Sequence, residues 1–216
     1  MNPDLNRRRL LATLAGMLVT TPTLAGSRLL ATPAQSAGPF YPPELPLDDD
    51  NDLTRVAGRD AVAAGRVTEL SGRVQDLDGR PIADARIEIW QCDANGRYRH
   101  PGDRGTALRD DNFQGHGHTV TDGEGRYRFR TIRPVPYPGR TPHIHMAVFA
   151  PQSTPLVTQL YVRGEPRNAA DFLFKRVPAE RRHLVQADFL AADLPDVELR
   201  ASFDLVLGGA DGTPAG

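Results

Sequence analysis

The chain has 216 residues, enough for one domain with a full hydrophobic core, and its 19 prolines and 20 glycines favour a turn-rich β protein. Its formal net charge of -1, from 26 Lys and Arg against 27 Asp and Glu, favours a small-molecule or polysaccharide-associated partner and no nucleic acid. Because Cys92 is the single cysteine, an intramolecular disulfide and a Cys-X-X-Cys zinc site are excluded.

Residues 1–26 have the pattern of an export signal peptide. The arginines Arg7 to Arg9 precede the apolar run Leu10 to Val19, and a small-X-Ala pattern ends at Ala25. The apolar run is too short to cross a membrane, so we expect no stable membrane span after signal removal. The adjacent arginines resemble a twin-arginine signal, which predicts export to the periplasm or outside the cell. An ordinary secretory signal with a basic start is the alternative.

Residues 27–60 predict an extended N-terminal arm, because hydrophobic periodicity is low and prolines are frequent there. Phe40 and Tyr41 are expected to dock on the domain surface. The acidic run Asp48 to Asp52 predicts a turn whose role is solvation rather than calcium binding. Residues 209–216 predict a flexible tail.

Residues 61–208 predict a mainly β domain, an antiparallel β-sandwich with long active-site loops and one or two short helices. Alternating side chains and turn residues predict two hairpins, one over Val67 to Asp93 and one over Thr119 to Ile132. Further strands are predicted over His143 to Ala150, Leu156 to Val162 and Leu199 to Leu207. The best helical candidate spans Asp171 to Ala187 and breaks at Pro178.

The strand that begins at His143 carries the first candidate site residues. Side chains alternate along a strand, so His143 and His145 lie on one face and Ile144 on the other. Two imidazoles on one face are able to share a metal ion, although such a pair is also common on a solvated strand face. Just upstream, prolines stiffen the backbone around Tyr137, and Arg140 adds a permanent positive charge.

The remaining aromatic and histidine residues receive simpler interpretations. His116-Gly117-His118 predicts a flexible loop at a pocket rim, with direct metal or substrate contact as the alternative. His100 and His183 are expected at the surface. Tyr127 and Tyr161 are expected as core or sheet aromatics, and Trp90 is expected in the sandwich core.

From about Thr32 to Leu207 the chain resembles the intradiol ring-cleavage dioxygenases, the family that includes the protocatechuate 3,4-dioxygenase and catechol 1,2-dioxygenase types, and it is closer to the protocatechuate type. The resemblance depends on the arm motifs TPAQ and GPFYP, the segment SGRV…DGRPIADARIEIWQ, and the motifs GRY, RPVPYP, RTPHIH and TQLY. It implies an enzyme that cleaves a catecholic aromatic between its two hydroxylated carbons with O2, giving a cis,cis-muconate-type diacid. The substrate would be of the protocatechuate, catechol or hydroxyquinol type.

The resemblance also implies a site. A non-haem Fe(3+) ion would be held by four residues, namely Tyr98, Tyr137, His143 and His145. Tyr137 would be the ligand that leaves when the catechol binds, and Arg140 would stabilise the anionic ring. Gln159 matches a pocket glutamine of the family, with an inward polar residue that satisfies backbone groups as the alternative. Phenolate is a hard anionic donor suited to Fe(III).

The segment between Tyr137 and Arg140 is shorter than in the well-known aromatic-acid enzymes, because only Pro138 and Gly139 intervene. This predicts a wider or reshaped pocket mouth, and a homo-oligomer is compatible with the sequence. Two other interpretations stay open. The predicted hairpins also resemble transthyretin-like or carboxypeptidase-regulatory binding modules, which are not catalytic. A zinc or copper site would instead use both His-X-His motifs and leave the tyrosines as spectators.

Overall fold

Ten strands form two five-stranded sheets in the computed structural model, which describes residues 28–45, 48–151 and 153–208. The predicted signal peptide and C-terminal tail lie outside these residues. In chain order the strands are β1 (Val67–Gln75), β2 (Arg86–Trp90), β3 (His116–Val120), β4 (Arg126–Ile132), β5 (His143–Phe149), β6 (Leu156–Val162), β7 (Gln186–Ala187), β8 (Leu190–Leu194), β9 (Val197–Ser202) and β10 (Leu205–Val206). In the same ranges, no helix is long and apolar enough to span a membrane.

The first sheet is built around β1, which pairs antiparallel with β4 and parallel with consecutive strands β9 and β10, while β8 pairs with β9. The second sheet has the order β3-β2-β5-β6-β7, and only its β6–β7 pair is parallel. The predicted mainly β, two-sheet sandwich is therefore confirmed, with three parallel pairs among the antiparallel ones.

Alternate side chains of β5 point to opposite faces of the second sheet, so core residues and candidate site residues lie on different faces. Ile144 and Met146 of β5 are fully buried in the hydrophobic core, to which strands of both sheets contribute. Each such side chain contributes about 1.5–3 kcal/mol of burial free energy. His143 and His145 point to the opposite, outer face of the second sheet. The same alternation puts Trp90 of β2 on that outer face, outside the main core cluster, so its predicted place in the sandwich core is wrong.

The two predicted hairpins are wrong in their pairing. The predicted turns are present: Asp76 Oδ1 accepts the backbone N–H groups of Asp78 and Arg80, and Asp122 makes the equivalent pair of bonds. Each turn, however, joins strands of different sheets, since β1 pairs with β4 and β2 pairs with β3. Turn residues specify a local chain reversal, whereas burial of the shared core decides which strands pair.

The predicted helix over residues 171–187 is much shorter in the structure. Helix α1 spans Phe172–Arg176, and a 3-10 helix spans Ala179–Val185, with the predicted break at Pro178 confirmed between them. Another 3-10 helix spans Pro166–Ala169. Strand β8 was not predicted, because its residues are largely exposed and show no alternation of burial.

The arm covers the outer face of the second sheet. Apart from a single-residue bridge between Asp52 and Arg130, its described residues, 28–45 and 48–60, contain no strand pairing. The backbone N–H of Gln35 donates to the carbonyl of Val157 at 2.8 Å, which ties the arm to β6. Phe40, further along the arm, packs on this face, and Tyr41 does so too, as predicted. Their side chains therefore form part of the cover over the site.

The expectation that Asp48 to Asp52 is only a solvated turn is wrong for Asp49. Its carboxylate oxygens lie 2.9 Å from His116 Nδ1 and 3.1 Å from His118 Nδ1, and one of them lies 3.4 Å from the guanidinium of Arg86. Only 17% of its side chain is exposed. Asp49 therefore lies against the second sheet rather than in a solvated turn.

The expectation that His116-Gly117-His118 forms a flexible rim loop is also wrong, because these residues begin β3 and pair with β2. Gly117 allows the backbone of the arm to lie close to the backbone of β3. The backbone N–H of His118 donates to the carbonyl of Asp50 at 2.9 Å, and a Cβ on Gly117 would lie 2.2 Å from that carbonyl oxygen. The glycine that suggested a loop is required here by backbone contact.

We predict that Gly117→Ala destabilises the protein by about 1–3 kcal/mol, because the added methyl must displace the arm backbone. Gly123→Ala is the matched control, since nothing lies within 4 Å of its added Cβ and its φ is not positive. Urea unfolding of both variants measures the difference. Equal midpoints for the two variants would contradict the close packing of the arm on β3.

Candidate active site

Neighbouring strands place the candidate site residues side by side. In the register of the second sheet, His143 lies opposite Tyr161, and His145 lies between Gln159 of β6 and Trp90 of β2. All of these side chains share the outer face, because paired residues in adjacent strands point the same way. The sheet therefore presents a row of polar and aromatic groups under the arm.

The two histidines point their Nε2 atoms at one position. These atoms are 3.1 Å apart, and each residue is only 1% exposed. His143 Nδ1 lies 2.7 Å from the carbonyl oxygen of Thr141, which fixes the proton on Nδ1 and leaves Nε2 with its lone pair. Burial, and then the Arg140 guanidinium, lowers the pKa of His143 to about 4. Burial also lowers the pKa of His145 well below its ordinary value, so both rings are in the neutral form that binds metals.

Two tyrosines from loops complete the cluster. A turn capped by the Asp93 carboxylate positions Tyr98, whose own backbone N–H donates to Asp103 at 2.6 Å. The Tyr98 side chain is 3% exposed, and its hydroxyl has no hydrogen-bond partner among the described residues. Its ring lies 5.3 Å from the ring of Tyr137, which in turn lies 5.5 Å from that of His143. Burial raises the pKa of Tyr98 well above its ordinary value.

The histidine pair has the spacing expected of two ligands of a single metal ion. A metal about 2.1 Å from each of two nitrogens at an angle near 90° places them about 3 Å apart, which matches the histidine pair. The buried, unpartnered hydroxyl of Tyr98 needs a partner of this kind, because an unsatisfied buried polar group costs about 1–3 kcal/mol. Two phenol and two imidazole donors suit a hard trivalent ion.

The alternative zinc or copper site gains no support from the described ranges, where no group of three or more His, Cys, Asp and Glu side chains is arranged to hold a metal. His116 and His118 contact Asp49 instead. His183 is exposed, as predicted, whereas His100 is half-buried against the ring of Phe40 at 5.7 Å.

Arg140 joins the site through four contacts. Its NH2 donates to Gln159 Oε1 at 2.6 Å and lies 3.5 Å from the Tyr161 hydroxyl. Its NH1 lies 3.5 Å from His143 Nε2, and its Nε donates to Asp171 Oδ2 at 2.8 Å. The guanidinium therefore faces the position to which the histidines point, and it is held from behind by a carboxylate.

The contact of Asp171 with Arg140 and the site contacts of the Tyr161 hydroxyl were not predicted from the sequence. Asp171 is 3% exposed, and the turn that leads into α1 satisfies its other oxygen with the N–H groups of Leu173 and Phe174. The available signal was its position as a helix N-cap, which says nothing about Arg140. Tyr161 was expected only as a sheet aromatic, yet its hydroxyl donates to Gln159 at 3.0 Å.

Gln159 combines the two roles that the sequence left open. Its Oε1 accepts hydrogen bonds from Arg140 and Tyr161, while its Nε2 donates to the carbonyl of Ser36 at 2.9 Å. The arm adds Gln35, whose Nε2 donates to the Tyr161 hydroxyl at 3.1 Å. The arm therefore closes the site through hydrogen bonds as well as through aromatic contacts.

Glu88 anchors the arm beside the site. It is 5% exposed, accepts 2.8 Å hydrogen bonds from the Tyr41 hydroxyl and from Arg86, and lies 3.6 Å from His116 Nε2. Burial by itself would raise its pKa, but the contacts with His116, Arg86 and Tyr41 outweigh burial and lower the pKa of Glu88 to about 2. The ionised carboxylate is therefore the stable form in the folded protein.

The comparisons with known proteins agree with this architecture. The family model described as Dioxygenase matches residues 36–209. The protocatechuate 3,4-dioxygenase beta chain of Burkholderia cepacia is 40% identical over 174 residues, which cover 76% of this chain and 74% of the relative. The hydroxyquinol 1,2-dioxygenase of Corynebacterium glutamicum is 34% identical over 155 residues, 63% of this chain and 48% of the relative.

Among solved structures, the dioxygenase domain of a dioxygenase carbohydrate-binding protein fusion from Streptomyces sp. SirexAA-E matches with a TM-score of 0.63 at 31% identity. The match covers 83% of this chain and 99% of that domain. The fold and its relatives therefore define a ring-cleaving oxygenase, which is an enzyme rather than a binding module. Specifically, the chain belongs to the intradiol ring-cleavage dioxygenase family, whose members use non-haem iron.

We predict that Glu88→Gln reduces the loss of stability in acid. Because the pKa of Glu88 is about 2 in the folded protein and 4.5 ordinarily, its contribution is complete above pH 4.5 and is lost as the pH falls toward 2. The shift corresponds to about 3 kcal/mol. Urea unfolding between pH 2 and pH 7 measures how the free energy of unfolding of each protein depends on pH. Glu180→Gln, at an exposed position, is the control for loss of one carboxylate. Parallel stability curves for Glu88→Gln and the wild type would disprove the role of Glu88.

Proposed function

We propose that this protein is a non-haem Fe(III)-dependent intradiol dioxygenase. It cleaves a catecholic aromatic between the two hydroxylated carbons, using O2, and yields a cis,cis-muconate-type diacid. The observation that carries the proposal is the convergence of two buried histidine nitrogens and two tyrosines beside one buried arginine. The relatives named protocatechuate 3,4-dioxygenase and hydroxyquinol 1,2-dioxygenase support a substrate of the protocatechuate, catechol or hydroxyquinol type.

The residues that would hold the iron are Tyr98, Tyr137, His143 and His145. Neutral imidazoles and phenolates provide two uncharged and two anionic donors, which suits a trivalent ion. When bound, Fe(III) supplies the ability to chelate both oxygens of a catechol and to make its ring reactive toward O2. The four side chains set the position and exposure of that ion.

Tyr137 is placed to move a proton. It is more exposed than Tyr98 and precedes the exposed residues Pro138 and Gly139. Burial raises the pKa of Tyr137 above its ordinary value, although Arg140 opposes the shift. A phenolate oxygen of high pKa accepts a proton readily. We therefore assign Tyr137 as the residue that would hold the iron before substrate binds and whose phenolate oxygen would take up a proton from a catechol hydroxyl.

Arg140 supplies a fixed positive charge where the substrate becomes anionic. Its guanidinium is held at Nε by Asp171 and at NH2 by Gln159, so little reorganisation is needed during the reaction. Its side chain is 7% exposed, which strengthens its interaction with a negative charge relative to water. These features support a role in stabilising the anionic ring and the oxygen that adds to it.

A cavity of about 480 Å³ lies beside Tyr137 and Arg140 and is also lined by Thr141, Arg167 and Asp171, and a second of about 540 Å³ lies beside Tyr98 and Tyr137. Both volumes are within the range of small-molecule sites, about 300–1,000 Å³. Only Pro138 and Gly139 separate Tyr137 from Arg140, and both are exposed, so this short loop lies at the surface beside the first cavity.

We predict that the purified protein loaded with Fe(III) has a broad visible band from tyrosinate-to-iron charge transfer. Anaerobic addition of catechol, protocatechuate or hydroxyquinol is expected to shift the band to longer wavelength for the preferred substrate. Tyr98→Phe and His143→Ala are expected to weaken iron binding or abolish ring cleavage. Tyr127→Phe is the matched control, because this buried tyrosine donates to the Phe203 carbonyl, far from the site. A colourless Fe(III)-loaded wild type, or full activity in both ligand variants, would refute the proposal.

Arg140→Ala is predicted to keep the visible band but to lower kcat by about 10²–10³-fold, the usual effect of removing one preorganised charge donor. Arg140→Lys keeps the charge but not the planar fork that contacts Gln159 and Asp171, so partial activity is expected. Steady-state kinetics and the absorption spectrum of each variant provide the test. A bleached Arg140→Ala protein would show that the arginine serves the structure of the site instead.

We also propose export through the twin-arginine route, supported by the sequence pattern of residues 1–26, which lie outside the described residues. The domain limits at residues 60/61 and 208/209 and a homo-oligomeric state stay predictions as well. Fractionation of cells that express the wild type or the Arg7→Lys, Arg8→Lys double variant tests the route. Accumulation of both proteins outside the cytoplasm would contradict it.

A further inference from the structure

The two histidines of the site are held in different ways. His143 has an ordinary second contact for a metal-binding histidine, because its Nδ1 lies 2.7 Å from the Thr141 carbonyl. His145 has no such contact: its Nδ1 is buried and has no hydrogen-bond partner within the described residues. Something other than a hydrogen bond must therefore fix the orientation of the His145 ring.

Trp90 lies flat against that ring. The ring centroids are 4.9 Å apart and the planes differ by 4°, so the contact is a parallel stack. Trp90 is 1% exposed and lies opposite His145 in the β2–β5 register, which places the two side chains on adjacent strands of one face. On the arm, Gly38 also approaches the imidazole, since an added Cβ would lie 3.2 Å from His145 Cε1. The imidazole plane is thus confined by packing.

Trp90 is itself supported by the arm. Tyr41 meets the indole edge-on, with centroids 5.0 Å apart and an interplanar angle of 88°. The Tyr41 hydroxyl is tied to Glu88 at 2.8 Å. Trp90 Nε1 has no hydrogen-bond partner among the described residues, so ring contacts rather than polar contacts determine the position of the indole.

We propose that Trp90 is a positioning residue for His145, and that ring stacking replaces the missing hydrogen bond in directing Nε2 toward the metal position. The inference rests on the proposed function, because it assigns the purpose of this stack to iron binding. A hydrogen-bonded partner orients a ligand histidine and also raises its basicity. Stacking orients the ring without acting on Nδ1. His145 is therefore the weaker donor of the pair, and its geometry depends on the indole.

The test compares Trp90→Leu, which removes the ring, with Trp90→Phe, which keeps a smaller one. Phe129→Leu is the control for general loss of core packing, since Phe129 is fully buried in the core between the sheets. Two quantities are measured on the Fe(III)-loaded proteins: the rate of iron loss to a chelator and the energy of the visible band. Trp90→Leu is expected to lose iron about tenfold faster or more and to shift the band. Trp90→Phe is expected to have a rate of iron loss and a band energy close to those of the wild type. Phe129→Leu is expected to leave the band unchanged.

A folded Trp90→Leu protein with the wild-type band and rate of iron loss would overturn the inference while the proposed function stands. If Trp90→Leu does not fold, Trp90→Met, which refills more of the volume without a ring, gives the same comparison. A shift of equal size in Phe129→Leu would also overturn it, since the effect would then be general. A wild type that binds no Fe(III) would overturn both the inference and the proposed function.

Discussion

The structure depends on the alternation of side chains along β5. One face of this strand contributes Ile144 and Met146 to the core, and burial of that face holds the strand in register. His143 and His145 therefore lie together on the other face of the strand. The core thus positions the histidines, because a slip of one residue would place both imidazoles in the hydrocarbon interior and two aliphatic side chains in the site. The apolar sandwich is in this sense the scaffold of the metal position.

The outer face that carries the histidines is polar and must be shielded from water by something other than a third sheet. The arm does this with little regular structure. It uses one backbone hydrogen bond to β6, the contact of Gln35 with Tyr161, and aromatic rings such as Phe40, which stacks on Tyr98 at 4.6 Å. A segment held by scattered backbone hydrogen bonds and side-chain contacts rather than by a strand ladder is able to fit an irregular surface. The site is therefore formed by the second sheet and the arm together, and it is incomplete without either of them.

The sequence was sufficient for features that are local and insufficient for those that are not. The pairing of His143 with His145 on one face follows from spacing, and the break at Pro178 follows from proline chemistry. The partnership of Arg140 with Asp171 spans 31 residues and depends on where α1 docks, which no local pattern encodes. The predicted hairpins failed for the same reason, since their turns were correct and their pairing was decided by the core. The four proposed ligands came from motifs, and the structure brings those residues together.

The buried pair of Arg140 and Asp171 shows how the fold and the proposed chemistry are linked. A buried ion pair contributes little net stability, because desolvation of both groups offsets their attraction. Its value here is geometric. Asp171 has one oxygen bound to the first turn of α1 and the other bound to Arg140 and to the backbone of Thr141. The helix, the arginine and the segment leading into β5 are thereby fixed relative to one another through a single carboxylate. A positive charge anchored in this way is in place before any substrate arrives, which is the condition for it to lower a barrier rather than merely to bind.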